Sequence, residues 1–138
     1  MTTHKLSRDY LGKVTSRLKA LKLYLADGRH DDVVREAQEA VELLLKGACR
    51  FVGLDPPRLH DPAGTLLQHA DRLPAEWQVA VPRVREISRW LMEERSAAFY
   101  GDEDDEIPPS ELFERSDADR AIADVEFLLG LYQRLLDG

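Results

Sequence analysis

Leu11, Val14, Leu18, Leu21 and Leu25 recur at intervals of three and four residues, close to the 3.6-residue turn of an α-helix, and the same period returns along the chain. A second stripe holds Val33, Val34, Ala37, Ala40, Val41, Leu44, Leu45, Ala48 and Cys49. A third holds Val84, Ile87, Trp90, Leu91 and Ala98, and a last one Ala118, Ala121, Val125, Leu128, Tyr132 and Leu135. No segment reads clearly as a β-strand. Apolar stripes must be covered, and helices joined by mostly short connections cover one another best as an antiparallel bundle. The expected fold is all-α, an antiparallel helical bundle of about five helices, as one domain over residues 1–138.

Glycine and proline set the expected boundaries. Gly28 caps the first helix in the left-handed conformation, the second opens at Asp31 or Asp32, and Gly53 closes it. Three prolines and a glycine in the eleven residues LDPPRLHDPAG make residues 54–64 a loop. A short helix from Thr65 to Asp71 follows, capped by Thr65, with Leu66 and Leu67 turned inward and Pro74 as its stop. The fourth helix starts between Trp77 and Pro82, with proline in its first turn, and runs to about Tyr100, where Gly101 ends it. Residues 101–116 read as a long surface loop in which Ile107 and Leu112 or Phe113 dock. Ser116 is the N-cap of the last helix, with Asp117 and Asp119 in its first turn.

A chain of 138 residues, 43% hydrophobic and 33% charged, suits a packed core under a wet surface rather than disorder. Cys49 is the sole cysteine and lies in an apolar stretch, which excludes an intrachain disulfide and points to a reducing compartment. The amino terminus lacks the apolar core of a signal peptide, and no run approaches the roughly 20 apolar residues of a membrane span. The cytoplasm is the expected location. The net charge of −7 hides an asymmetry: residues 1–30 balance at +5 and residues 101–138 at −9. Overall acidity argues against nonspecific nucleic-acid binding, although a local basic face can still engage RNA. The stripes of the first and last helices are wide enough to leave apolar surface for a partner, so a homodimer is expected.

Common catalytic signatures are missing. The sequence has no Walker-type phosphate loop, no paired cysteines, no HExxH and no GxSxG. His4, His30, His60 and His69 are scattered, and solvated loop positions explain His60 and His69 better than a shared metal does. Glu42 and Lys46, spaced i to i+4, read as an exposed helix-stabilising pair. The acidic run Asp102 to Glu106 reads as solvated, because consecutive acids on a flexible loop lack the fixed geometry a cation needs. No metal and no cofactor is expected.

Two stretches carry more information, AQEAVELLLKGACRFVGLDPP over residues 37–57 and ERSAAFYGDEDDEIPPSELF over residues 94–113. The Ala37 to Lys46 helix followed by the Gly53 and Pro56 break resembles the HEPN family. So do the Arg95 to Tyr100 helix end with Gly101-Asp102-Glu103 and Pro108-Pro109, and a final helix entered through Ser116-Asp117-Ala118. These are small helical domains of prokaryotes, commonly paired with minimal nucleotidyltransferases. The resemblance implies a dimerising bundle and, in active members, a metal-independent RNase built on an arginine followed four to six residues later by histidine.

Arg95 occupies the arginine position, but Tyr100 stands where histidine is expected, and no histidine follows His69. Cleavage without metal needs a group that takes the 2′-hydroxyl proton near neutral pH, as histidine does. Tyrosine, with a reference pKa of about 10, is ionised in roughly one molecule in a thousand at pH 7. Arg95 can still hold a phosphate through its planar fork, with Ser96 beside it as a further candidate for phosphate or RNA binding. The plainer expectations are an ion pair of Arg95 with Glu94, Asp102 or a neighbouring helix, and a Tyr100 that seals the helix end. The resemblance further implies Tyr100 as a candidate nucleotidylation acceptor. The favoured function is a partner-binding companion of a minimal nucleotidyltransferase in a toxin-antitoxin-like pair, with an RNase toxin acting through Arg95 as the alternative.

Overall fold

The computed structural model describes residues 4–56 and 62–138, and every described element is helical. Helix α1 spans Lys5–Ala26, α2 His30–Phe51, α3 Pro62–Gln68, α4 Ala75–Tyr100, α5 Pro109–Leu112 and α6 Arg115–Asp137. A single 3₁₀ turn, Ala70–Arg72, joins α3 to α4. The expected all-α bundle is what the chain forms.

Helix α2 is the axis of the bundle and packs against α1, α4 and α6. Its stripe from Val33 to Cys49 is withdrawn from water, with Val33, Val34, Ala37, Ala40, Leu44, Leu45, Ala48 and Cys49 fully buried. Cross-helix contacts fix the directions. Ser7 at the start of α1 donates from its hydroxyl to the Gly47 carbonyl near the end of α2, 3.0 Å away, so these helices are antiparallel. The Trp77 indole N–H at the start of α4 donates to the Leu131 carbonyl near the end of α6 (3.0 Å), and Trp90 donates to Asp124 midway along (2.8 Å). Thus α4 and α6 are also antiparallel.

One knot ties three helices. The Tyr132 hydroxyl, on fully buried α6 surface, donates to the Ser7 carbonyl and lies directly over Gly47. A Cβ on Gly47 would collide with that hydroxyl, so the glycine is there for close approach rather than for flexibility. Burial pushes the Tyr132 phenol up to about 12, against a partly offsetting hydrogen bond to Ser7. Cys49 is similarly inert: burial raises its thiol to about 11.

Helix ends follow capping chemistry, with some departures from expectation. Gly28 (φ 73°) and Gly53 (φ 81°) both adopt the left-handed conformation. After α1, Gly28 N–H reaches the Leu25 carbonyl and Arg29 N–H the Tyr24 carbonyl. After α2, Gly53 and Leu54 reach Arg50 and Cys49 in the same pattern, so each end closes two orphan carbonyls. Helix α2 opens one residue before Asp31, at His30. Helix α3 begins at Pro62, not at Thr65, because proline fits a first helical turn; Thr65 is then interior and caps nothing. Leu66 is buried as expected, but Leu67 is 38% exposed, since consecutive residues on a helix diverge by about 100°.

Helix α4 starts at Ala75, which puts Pro82 inside it rather than in its first turn. Pro82 and Gln78, whose carbonyl loses its intrahelical donor, are both exposed, so water can satisfy that carbonyl. Ser116 is not the N-cap of α6. Glu114 is, in a capping box where its side chain accepts from the Asp117 backbone while Asp117 accepts from the Glu114 N–H at 2.8 Å. Glutamate is an uncommon cap, and the reciprocal bond from Asp117 decides the frame.

Residues 101–116 are not an open loop. Asp102 and Ile107 exchange two backbone hydrogen bonds of 2.9 Å, α5 forms one turn, and Phe113 is buried in the core with Leu112 half-buried beside it.

Candidate functional site

The residues singled out in the sequence meet at the carboxyl end of α4. Core-facing positions Ile87, Leu91 and Ala98 anchor this helix, and its last two turns run past the region where α2 begins. Arg95, Ser96, Phe99 and Tyr100 are exposed there. Arg95 makes no ion pair with Glu94, Asp102 or any other described residue, contrary to the plainer expectation. Tyr100 does not seal the helix end either. It is 61% exposed and pairs edge-to-face with Phe99, ring centres 4.6 Å apart and planes at 84°. The end is closed instead by Gly101 (φ 79°), whose N–H reaches the Ala97 carbonyl at 2.9 Å.

Arg35 joins them from α2, sixty residues away in sequence. Its guanidinium lies 4.5 Å above the Phe99 ring while pairing with Glu36 (2.9 Å) and Glu39 (3.7 Å). Arg35, Met92, Arg95, Ser96, Phe99 and Tyr100 line an open groove of about 440 Å³. Met92 (42%), Phe99 (50%) and Tyr100 leave an exposed apolar cluster. Such a groove offers two guanidiniums, a hydroxyl and aromatic faces. It offers no carboxylate and no imidazole, so it can hold an anion or a flat ring but has no group suited to taking a proton near pH 7.

On the other flank of α4 a second groove, about 760 Å³, is lined by Glu93, Glu94, Asp102, Glu103 and Asp104, with Ala97 and Leu112 at its floor. Ser96 lines both grooves and is the ridge between them. The acidic segment is a hydrogen-bonded turn rather than the open loop expected. Gly101 admits the Ile107 carbonyl where any Cβ would clash, the Asp105 N–H donates to the Asp102 carboxylate at 3.1 Å, and Glu106 takes a left-handed φ of 55° to close the turn. No group of three or more histidine, cysteine or acidic side chains among the described residues is arranged to hold a metal ion.

Other expected residues lie apart. His60 falls outside the described residues, and His69, partly exposed just after α3, does not line the groove. Glu42 and Lys46 form no ion pair among the described residues; the cross-helix bridges of α2 run from Glu36 and Glu39 to Arg17 on α1, at 3.1 and 3.3 Å. Spare apolar surface lies only partly where the stripes suggested: on α1 Leu11, Leu18 and Leu25 are half-buried and Leu6 and Leu23 exposed, whereas Val125, Leu128, Leu131, Tyr132, Leu135 and Leu136 of α6 are all buried and a further exposed cluster belongs to α4. Arg35 carried no sequence signal, since only the packing of α2 against α4 brings it to Phe99.

Fold and site together define an all-α bundle domain with an exposed arginine groove at the end of its longest described helix. The chain belongs to the HEPN family, whose model, described as the HEPN domain, matches residues 7–135. No curated protein and no solved structure matches it. No described helix is long and apolar enough to cross a membrane.

Proposed function

We propose that this HEPN domain is a dimerising, partner-binding module, the companion of a minimal nucleotidyltransferase in a two-component, toxin-antitoxin-like system of the cytoplasm, with an RNase motif that has lost its proton acceptor. The observation that carries this reading is the lining of the arginine groove. Arg95 is solvent-facing and unpaired, suited to gripping a phosphate, but the position five residues on holds Tyr100, and no imidazole or carboxylate lines the groove. Binding survives such a loss, whereas proton abstraction from a 2′-hydroxyl does not. Tyr100 presents its ring to solvent, which suits a hydroxyl that a partner nucleotidyltransferase modifies.

The test is RNA cleavage by the purified chain in excess chelator, alongside Arg95→Ala. The expected result is no cleavage above background by either protein. Chelator-resistant cleavage that disappears in Arg95→Ala would establish the alternative, an RNase toxin acting through Arg95. Incubation with ATP and a cognate minimal nucleotidyltransferase, followed by mass spectrometry, decides the role of Tyr100: an unmodified tyrosine removes it as the acceptor.

A further inference from the structure

Glu36 and Glu39, one helical turn apart on α2, both reach toward α1. Arg17 of α1 donates to each of them, to Glu36 Oε2 at 3.1 Å and to Glu39 Oε2 at 3.3 Å. The remaining carboxylate oxygens go to Arg35: its Nη1 donates to Glu36 Oε1 at 2.9 Å, and its Nη2 stands 3.7 Å from Glu39 Oε1. The four side chains close a ring in which each carboxylate is shared between a guanidinium of α1 and a guanidinium of α2. They are only 18% to 32% exposed, so water and salt screen the ring less than a free surface pair. Arg35 is the member that also belongs to the groove, where its guanidinium lies 4.5 Å above the Phe99 ring and shares the lining with Arg95.

Two arginines and two glutamates sum to zero charge, so the two carboxylates do not both fall on Arg35. Without Arg17, Arg35 alone would face both glutamates and the sum would be −1. An anion would then meet a less favourable field at the groove, although no residue lining it had changed. We infer that Arg17 is a positioning residue of the arginine groove: by drawing off part of the charge of Glu36 and Glu39, it leaves Arg35 able to share an anion with Arg95. This role rests on the anion-holding reading of the groove and extends it to α1, a helix that contributes nothing to the lining.

The experiment is a titration of the full chain with inorganic phosphate at low salt, its affinity read from the NMR shifts of the Arg35 and Arg95 Nε–H groups. The native chain is compared with Arg17→Gln, Arg17→Lys, Glu39→Gln and the combined Arg17→Gln/Glu39→Gln, and circular dichroism checks that each keeps its helices. Glu39 is the more distant partner of Arg35, so its loss leaves the 2.9 Å contact with Glu36 in place. Arg17→Gln is expected to weaken phosphate binding about three- to tenfold, and Arg17→Lys, which keeps the charge, to stay close to the native value. Glu39→Gln is expected to bind more tightly than the native chain by a similar factor, a gain that a damaged fold does not produce. The combined variant, neutral again, is expected to return to the native affinity. All these differences are expected to shrink at high salt. Equal affinity in the native chain and Arg17→Gln, or a combined variant as weak as Arg17→Gln, overturns the role of Arg17 while leaving the groove as an anion site. Phosphate that leaves the Arg95 signal of the native chain unshifted overturns the groove reading, and the role of Arg17 with it.

Discussion

At the scale of single residues, Gly47, Ser7 and Tyr132 come from three helices and are held at one point. Gly47→Ala must displace the Tyr132 ring or hydroxyl, an overpacking that is expected to cost roughly 3 kcal/mol in chemical denaturation. Tyr132 also gives the fold a pH limit. Its phenol is raised to about 12 in the folded state against an ordinary value of 10.0, so its stabilisation is complete below pH 10 and is lost as pH rises through 12. Thermal melts of the native chain should fall across that window, and Tyr132→Phe should show a shallower decline. None of this was visible in the sequence, where Gly47 is one glycine in an apolar helix and Tyr132 one more stripe position. By contrast Arg95 and Tyr100 were legible as a pair through the family resemblance, though their exposure and the absence of an ion pair on Arg95 were not.

At the scale of elements, helix ends were read well where glycine wrote them and poorly where proline or an acid did. Gly28 and Gly53 cap as their left-handed preference demands. Pro62 and Pro82 behaved differently from each other, one opening α3 and one interrupting α4, because a proline constrains only its own turn and the one before it. Pro82 leaves the Gln78 carbonyl without its helical donor on a solvent-facing side. Pro82→Ala is therefore expected to stabilise the chain, by about 1 to 3 kcal/mol, read as a raised thermal midpoint. The acidic segment was misjudged because composition reports charge and not hydrogen bonding: Gly101, Asp102 and Ile107 fold it into a tight turn despite five adjacent acids.

At the scale of the whole molecule, α2 is covered on several sides and carries the core. Leu44, fully buried on it, is a sensitive probe, and Leu44→Ala is expected to cost about 3 kcal/mol and to shift the unfolding midpoint of the entire helical signal in one step. The bundle buries the α2 and α6 stripes, leaves that of α1 half-covered, and keeps an exposed apolar cluster in the arginine groove, beside an acidic one, at the end of α4. What the sequence determined alone was the helical class, the stripes that form the core and the arginine-to-tyrosine spacing, because these depend on a local period and on residue identity. Only tertiary structure decided that Arg35 stands over Phe99, that Ser96 divides a cationic groove from an acidic one, and that α4 rather than α6 keeps apolar surface free. Those facts follow from how helices pack across tens of residues, and chain-local patterns carry no record of such distances.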